Sequence, residues 1–191
     1  RMPKVKKALD NFLEKELNGT YIPKIAFINS GGGIRSLIAC TGFHVGAQEI
    51  GLLDTATYDV GLSGGAWFVG LWMNSGLDIH LFKEMIRPLV QNDLMVDNSK
   101  EAKLFIDALL VRFGLKQPVT LVNSWGALIA NKYLSNYGDK CHQVLWSDLA
   151  YSIKDGSRPF PILSAISGTM AESFENRPKI PWFEFTPFEV G

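Results

Sequence analysis

This chain has few cysteines, few histidines and no formal net charge, and these features exclude several classes of protein. Its 191 residues include two cysteines, Cys40 and Cys141, and three histidines, and the 19 basic residues balance 19 acidic ones. Two cysteines cannot form a disulfide framework, and no Cys/His spacing matches a zinc site. A formal charge of zero without a polybasic cluster gives no reason to expect a nucleic-acid partner. We therefore expect no metal and no cofactor, and we expect Cys40 in the core.

Targeting and membrane-spanning segments are also missing from the sequence. The early basic stretch "KVKKAL" (4–9) is not followed by the apolar region of a signal peptide. No apolar run reaches the about 18 residues that a membrane span needs. The chain is 47% hydrophobic and 20% charged, which is typical of a protein that buries a core. We expect a soluble protein, and its compartment, cytoplasmic or secreted, stays open.

The spacing of apolar residues predicts an alternation of helices and strands. The first segment is amphipathic, and we expect a surface helix that ends at Asn18-Gly19. Two short apolar runs predict buried strands, each followed by a glycine-rich turn and a helix, which indicates an α/β unit with parallel strands. Gly42 and Gly46 are expected to let another backbone approach the second helix. The predicted elements are helix 4–17, strand 24–29, helix 34–51, strand 57–62 and helix 64–76.

The length of the chain suits one domain or the larger part of one. We expect an N-terminal helix within 1–20, a unit with two functional loops within 21–76, and further helices and strands within 77–191. The last segment, "PWFEFTPFEVG" (181–191), is rich in aromatic residues. It would expose an apolar patch if nothing covered it. We therefore expect this chain to be the N-terminal part of a larger domain.

The stretch "GLSGG" (61–65) follows the second predicted strand and fits the G-x-S-x-G pattern of a nucleophile elbow. In such an elbow the strand turns sharply into a helix, and small residues two positions before and after the serine allow the chain to close. The hydroxyl of Ser63 would then stand exposed at the carboxyl end of the strand, beside the N–H groups of the helix. The alternative is that Ser63 is only the N-cap of a helix in a glycine-rich turn.

The stretch "INSGGGIRSL" (28–37) follows the first predicted strand and places three glycines before a helix. It is neither a P-loop nor a G-x-G-x-x-G fingerprint, because Ser36 stands where the last glycine would be. Loops that follow neighbouring parallel strands meet at one edge of the sheet. Glycine N–H groups beside a serine nucleophile suit an oxyanion formed during acyl transfer. Arg35 would contact a second negative charge, or alternatively form a structural salt bridge.

Both loops resemble the catalytic-domain motifs of the cytosolic phospholipase A2 and fungal lysophospholipase (phospholipase B) family, which is related to the patatin-like serine–aspartate acyl hydrolases. The resemblance covers about residues 25–191, and it implies a mostly parallel sheet flanked by helices. This chain departs from the family at Gly65, where serine is common, and at Ser36-Leu37, where Ala-Met is common. The similar blocks are "SGGGIRSL" (30–37), "GLLDTATYDVGLSGGAW" (51–67), "LVNSWGALIANKYL" (121–134), "PFPILSAISG" (159–168) and "WFEFTPFEVG" (182–191).

The resemblance implies a lipid acyl hydrolase that cleaves fatty-acyl esters of phospholipids or lysophospholipids at a membrane surface. Ser63 would be the acylated nucleophile. The N–H groups of Gly32, Gly33 and Gly64 would form the oxyanion hole, and Arg35 would hold the lipid phosphate. The family pairs its serine with an aspartate and uses no histidine. That aspartate follows the last similar block, so a second chain or segment of the same precursor is expected to supply it.

Two local residues offer alternatives for the missing base. Asp155 precedes Gly156, as the catalytic aspartate does in patatin-like relatives, although the pair reads better as a turn before the next strand. His142 could complete the Ser-Asp-His triad of an α/β-hydrolase esterase. His44 and His80 are placed no better, and we expect them to be helix-borne or surface residues without a role. A third possibility is a non-catalytic lipid-binding fragment.

Overall fold

A computed structural model of the protein describes residues 1–18, 21–91, 99–166 and 182–191. These residues form two compact units. We call residues 1–83 with 146–191 the sheet unit and residues 84–145 the helical unit. The elements are α1 (Met2–Phe12), β1 (Ala26–Asn29), α2 (Ile34–Glu49), β2 (Tyr58–Leu62), α3 (Gly64–Ser75), α4 (Ile79–Gln91), α5 (Ser99–Gly114), α6 (Leu121–Tyr133), α7 (Leu149–Ser152), β3 (Phe160–Ile166) and β4 (Trp182–Phe185), with 3-10 turns at Leu53–Thr55, Ser135–Gln143 and Trp146–Asp148.

The sheet unit contains a four-stranded sheet in the order β1-β2-β3-β4. The first three strands are parallel and β4 is antiparallel, so the predicted α/β fold with a mostly parallel sheet is confirmed. Asn29 at the end of β1 is paired with Gly61 near the end of β2. The two predicted loops therefore leave adjacent strands at the same edge of the sheet, as expected. The core of the unit includes Leu37 of α2 and Phe68 of α3, both fully buried.

Both predicted strands and the two helices that follow them are confirmed, and no end differs from the predicted one by more than two residues. The first helix is shorter than predicted, because α1 ends at Phe12 and not at Asn18-Gly19. Glu14 adopts a left-handed conformation, with φ of 50°. The Asp10 carboxylate accepts a hydrogen bond from the Leu17 N–H at 2.8 Å. A side chain thus binds the backbone of the following residues in place of another helical turn.

Two smaller predictions about α2 are wrong. A Cβ atom at Gly42 or Gly46 would have no described neighbour within 4 Å, so no other part of the described backbone packs against these glycines. Cys40 is half-buried and not a core residue, and its Sγ lies 3.5 Å from the Ser36 hydroxyl oxygen. Cys141 is buried, and both cysteines are free thiols.

In the helical unit, the Asn131 side chain on α6 connects the surrounding segments. Its amide nitrogen donates to the Glu101 carbonyl of α5 at 2.9 Å, and its oxygen faces the Nε2 atom of His142 at 2.6 Å. Lys100 and Asp139 form an ion pair at 2.9 Å.

No helix in the part of the chain that the structure describes is long and apolar enough to cross a membrane. The sequence-based division into three blocks of one domain stays a prediction.

Both outer strands of the described sheet leave large apolar side chains exposed. Ile28 on the edge strand β1 is 80% exposed, and Trp182 on β4 is 61% exposed. Phe188 stacks on Phe160, with 6.0 Å between ring centroids, and is still mostly exposed. Parallel sheets are normally covered on both faces. The expected apolar patch at the end of the chain is therefore present in the described residues.

Candidate active site

Ser63 lies at the sharp turn between β2 and α3. Its backbone has φ of 53° and ψ of −120°, a conformation that non-glycine residues rarely adopt. Such strain costs about 1–3 kcal/mol and is concentrated at functional sites. The residue is exposed. The geometry predicted from G-x-S-x-G is therefore found, with Ser63 held outward at the carboxyl end of a strand.

The glycines on either side of Ser63 permit this turn because their backbones are in contact. A Cβ atom added at Gly61 would lie 2.6 Å from the Gly65 carbonyl oxygen and 2.7 Å from the Cα of Ala66. A Cβ atom at Gly65 would lie 2.7 Å from the carbonyl carbon of Asn29 and closer still to its oxygen. Real Cβ atoms do not approach backbone this closely. Glycine at position 65, where the family commonly has serine, therefore fits the tight packing of α3 against β1.

The Ser63 hydroxyl does not serve as a helix cap. Ser63 occupies the N-cap position of α3, but its side chain makes no capping hydrogen bond. None of the described side chains forms a hydrogen bond with its Oγ either. The alternative of a simple N-cap serine therefore lacks the bond that would define it.

The three-glycine loop passes directly beside Ser63. A Cβ atom at Gly31 would lie 3.0 Å from the Ser63 Cβ and 3.4 Å from its Oγ, so a larger residue would crowd the hydroxyl. Gly32 and Gly33 have φ values of 149° and 61°, which side chains disfavour. A Cβ atom at Gly64 would lie 2.5 Å from the Gly33 nitrogen, so the loop and the start of α3 are packed backbone to backbone. The sequence thus brings Gly32, Gly33, Gly64 and Ser63 together.

Several N–H groups around Ser63 are available to a ligand. Within the described residues, neither the Gly32 N–H nor the Gly33 N–H donates a hydrogen bond. Gly64 is the first residue of α3, so its N–H has no partner inside the helix. Gly33 is the N-cap of α2, and the amino ends of two helices therefore converge near the hydroxyl. This arrangement favours a negatively charged oxygen.

Ser36, the second departure from the family, braces the glycine loop. Its hydroxyl donates a short hydrogen bond to the carbonyl of Ser30, at the start of the loop. A Cβ atom at Gly32 would lie 3.3 Å from the Ser36 Cβ. Ser36 therefore contacts the loop at two points from the first turn of α2.

Arg35 points its charge to solvent at the start of α2. The residue is exposed. Within ranges 1–18, 21–91, 99–166 and 182–191 no carboxylate or hydrogen-bond acceptor contacts its guanidinium. The alternative that Arg35 forms a structural salt bridge therefore has no partner among these residues. The side chain is available to an anionic ligand next to the glycine loop.

Asp155 is a turn residue, as its sequence context predicts. Its carboxylate accepts a hydrogen bond from the Ser157 N–H at 2.9 Å. This bond, with a smaller contribution from Lys4, lowers the pKa of Asp155 below its usual range. Asp155 precedes the amino end of β3, whereas Ser63 follows the carboxyl end of the parallel strand β2. The two residues therefore lie at opposite ends of these parallel strands, and Asp155 is not placed to act as the base.

The three histidines occupy different environments, and none is hydrogen-bonded to Ser63. His142 lies in the helical unit, and its recorded partner is the amide oxygen of Asn131 and not a carboxylate. Burial lowers the pKa of His142 below its usual range. His80 is exposed. His44, which no sequence pattern singles out, is fully buried and faces Asp59.

Asp59 is the centre of a buried polar network that sequence reasoning missed. Its Oδ1 atom accepts a hydrogen bond from the Asn29 side chain at 2.6 Å, and its Oδ2 atom lies 3.1 Å from the His44 Nε2 atom. Asp59 and His44 are 0% exposed. The signal was an aspartate in the middle of a predicted buried strand, because a buried carboxylate needs a partner.

The fold and the paired loops define a class: an α/β unit with a nucleophile elbow beside a glycine loop. The model of the family described as the lysophospholipase catalytic domain matches residues 25–191, and the chain belongs to that family. The resemblance noted from the two loops is therefore confirmed.

Named relatives are cytosolic phospholipases. Human cytosolic phospholipase A2 epsilon is 32% identical over 94% of this chain and 20% of its own length. Mouse cytosolic phospholipase A2 gamma is 30% identical over 100% of this chain and 30% of its own length. The solved structure of human GIVD cytosolic phospholipase A2 superimposes with a TM-score of 0.80 at 23% identity, over 100% of this chain and 25% of that one. The chain thus spans between a fifth and a third of the length of these relatives.

The packing at Gly65 leads to a first prediction. Gly65→Ser introduces the residue that is common in the family, yet its Cβ would overlap the Asn29 backbone. We expect a loss of about 1–3 kcal/mol in the free energy of unfolding, because a well-packed region must shift. The control is Gly70→Ser on the same helix, where the nearest atom to an added Cβ, on Trp146, is 4.0 Å away. Thermal unfolding measures both variants, and equal stability of the two would contradict this account.

Proposed function

We propose that the complete protein is a lipid acyl hydrolase that cleaves fatty-acyl esters of phospholipids or lysophospholipids. The observation that carries the proposal is that the Ser63 hydroxyl, which has no hydrogen-bond partner among the described residues, lies beside a glycine loop whose Gly32 and Gly33 N–H groups donate no hydrogen bond there. In an ester hydrolase the nucleophile must reach the carbonyl carbon while the oxyanion donors reach the oxygen of the same carbonyl group. The two relatives named above are phospholipases, and their names support the substrate class. The solved structures similar in fold include human GIVD cytosolic phospholipase A2 in complex with methyl gamma-linolenyl fluorophosphonate.

The proposed reaction has two steps. The Ser63 oxygen attacks the ester carbonyl while a base takes its proton, and the resulting oxyanion receives hydrogen bonds from the N–H groups of Gly32, Gly33 and Gly64. The alcohol portion of the lipid then leaves with that proton, and an acyl-serine remains. Water attacks the acyl-serine in the same way and releases the fatty acid. Each oxyanion donor of this kind contributes about 10²–10³ in rate.

Arg35 is proposed to bind the lipid phosphate. It begins α2 directly after the glycine loop and is exposed without a described partner. A guanidinium forms paired, charge-assisted hydrogen bonds with phosphate oxygens. This contact would orient the ester toward Ser63 during a transient encounter with the membrane surface.

The base is proposed to be an aspartate from a second chain or segment of the same precursor, which forms a Ser-Asp dyad with Ser63. Three observations support this. No described carboxylate contacts the Ser63 hydroxyl, the relatives are three to five times longer than this chain, and the sheet unit exposes Trp182, Phe183 and Phe188. The additional segment would cover these apolar residues and complete the sheet.

The identity of the nucleophile can be tested in the complete protein with two serine variants. Ser63→Ala should abolish acyl release and labelling by a fluorophosphonate, because it removes the only oxygen that can be acylated in this scheme. Ser30→Ala, an exposed serine at the start of the glycine loop, is the matched control and should keep both properties. Undiminished phospholipid hydrolysis by Ser63→Ala would refute the assignment.

The role of Arg35 can be tested with substrates that differ in charge. Arg35→Ala should lower kcat/KM for phospholipid vesicles by about tenfold or more, the loss expected for a charge-assisted contact of about 1.5–3 kcal/mol. An uncharged ester of the same acyl chain should be affected much less. Arg35→Lys should restore part of the phospholipid activity, because it keeps the charge without the planar donor group. Equal losses on both substrates would instead indicate a structural role.

The need for additional sequence can be tested by mass spectrometry of the active protein under denaturing conditions. We expect either a longer polypeptide or a second peptide beside this one. Mutation of a single aspartate in this additional sequence should abolish acyl release while leaving the assembly intact. A single species of 21.2 kDa with full lipase activity would overturn this part of the proposal.

A further inference from the structure

The buried network of Asn29, Asp59 and His44 connects the three segments that build the candidate site. Asn29 is the last residue of β1 and directly precedes the glycine loop. His44 lies on α2, the helix that follows the loop. Asp59 lies on β2, which ends one residue before Ser63. One carboxylate therefore holds both flanks of the loop to the strand that carries the serine.

The glycine loop depends on contacts at its flanks because it has few side chains that could hold it in place. Gly31, Gly32 and Gly33 have no side chains, and glycine loses more conformational freedom on ordering than any other residue. The side chain that braces the loop is that of Ser36, which donates a hydrogen bond to the Ser30 carbonyl. Oxyanion donors must be held within about 0.5 Å of their working positions. The flanks of the loop must therefore be fixed from outside.

The proton inventory of the network follows from its geometry. The His44 Nδ1 atom lies 2.8 Å from the carbonyl oxygen of Cys40, which can only accept, so Nδ1 carries a hydrogen. The contact between His44 Nε2 and Asp59 Oδ2 then contains one further hydrogen, on either atom. In both cases the pair as a whole carries no net charge.

The Asp59–His44 pair lies in apolar surroundings, where neither polar group could be buried without the other. The aromatic rings of Phe27, Phe43, Phe68 and Trp72 surround His44, with centroid distances between 4.4 and 5.5 Å. Asp59 is the titratable side chain that contacts the imidazole among the described residues. A lone carboxylate in this environment would be strongly disfavoured. The network is thus a satisfied polar unit within an apolar layer of the sheet unit.

We propose that Asn29, Asp59 and His44 are positioning residues of the oxyanion site, which set the distance between the glycine loop and Ser63. This inference rests on the proposed function. The backbone of Asn29 also packs against Gly65 at the start of α3, so a shift of Asn29 would move both the loop and the helix that bears the Gly64 N–H. Neither Asp59 nor His44 contacts the Ser63 hydroxyl, and their effect passes through the backbone.

The chemistry of the network provides a conservative variant that separates hydrogen bonding from charge. In Asp59→Asn the amide oxygen can accept from Asn29, and the amide nitrogen can donate to the Nε2 atom of a neutral His44. Every hydrogen bond is then kept without a carboxylate. Asp59→Leu has the same branched shape and number of heavy atoms, although it is larger, and it keeps none of these bonds. The double variant Asp59→Leu with His44→Phe removes both partners and leaves no unpaired charge, so it stays informative if Asp59→Leu alone does not fold.

The experiment uses the full-length protein, with active sites counted by complete fluorophosphonate labelling and kcat expressed per labelled site. We expect Asp59→Asn to keep kcat within about threefold of the wild type. The double variant should lose about 10- to 100-fold in kcat with KM nearly unchanged, the loss expected for a displaced reacting geometry. Thr55→Val removes the hydrogen bond that the fully buried Thr55 donates to the Leu52 carbonyl, which has no connection to the loop, and it should keep the wild-type kcat.

The outcomes are distinguishable from a failure of the proposed function. A wild-type kcat per labelled site in the double variant would overturn this inference alone, and so would an equal loss in Thr55→Val. Absence of Ser63-dependent hydrolysis in the wild-type protein would instead remove the proposed function, and this inference with it. A role limited to folding would lower the number of labelled sites without changing kcat per site.

Discussion

Direct contact between glycine backbones is the constraint on which the candidate site depends. Gly61 meets Gly65 across the elbow, Gly64 meets Gly33, and Gly65 meets Asn29. A single methyl group at these contacts would force the backbone apart. Because these segments touch without side chains, Ser63, the glycine loop and the first residue of α3 are packed against one another. The strained backbone of Ser63 is kept in place by the same packing.

The apolar surroundings of the site have two consequences. In the core of the sheet unit, aromatic rings surround His44 of the buried Asp59–His44 pair, so the polar groups of the pair must satisfy one another. At the edges of the sheet, Ile28 and Trp182 remain exposed although a mostly parallel sheet is normally covered. The exposed side chains near Trp182 are where the segment proposed to carry the aspartate would pack.

The sequence predicted those features that depend on local patterns. Runs such as "KIAFIN" and the pattern around Ser63 indicate strands and an elbow from a few neighbouring residues, and parallel pairing follows from the order of elements. The end of α1 was missed because it depends on a bond from the Leu17 N–H to the Asp10 side chain. The Asp59–His44 pair was missed because its members lie 15 positions apart on different elements. An aspartate inside a buried strand was nevertheless a sign that a partner existed.

The most direct test of the account is a crystal structure of the complete protein after reaction with a fluorophosphonate. The account predicts phosphorus bonded to the Ser63 oxygen. It also predicts that the phosphoryl oxygen lies about 2.7–3.1 Å from the backbone nitrogens of the glycine loop and of Gly64, the range for oxyanion donors. A phosphoryl oxygen that points away from Gly32 and Gly33, or an adduct on a different residue, would contradict the account.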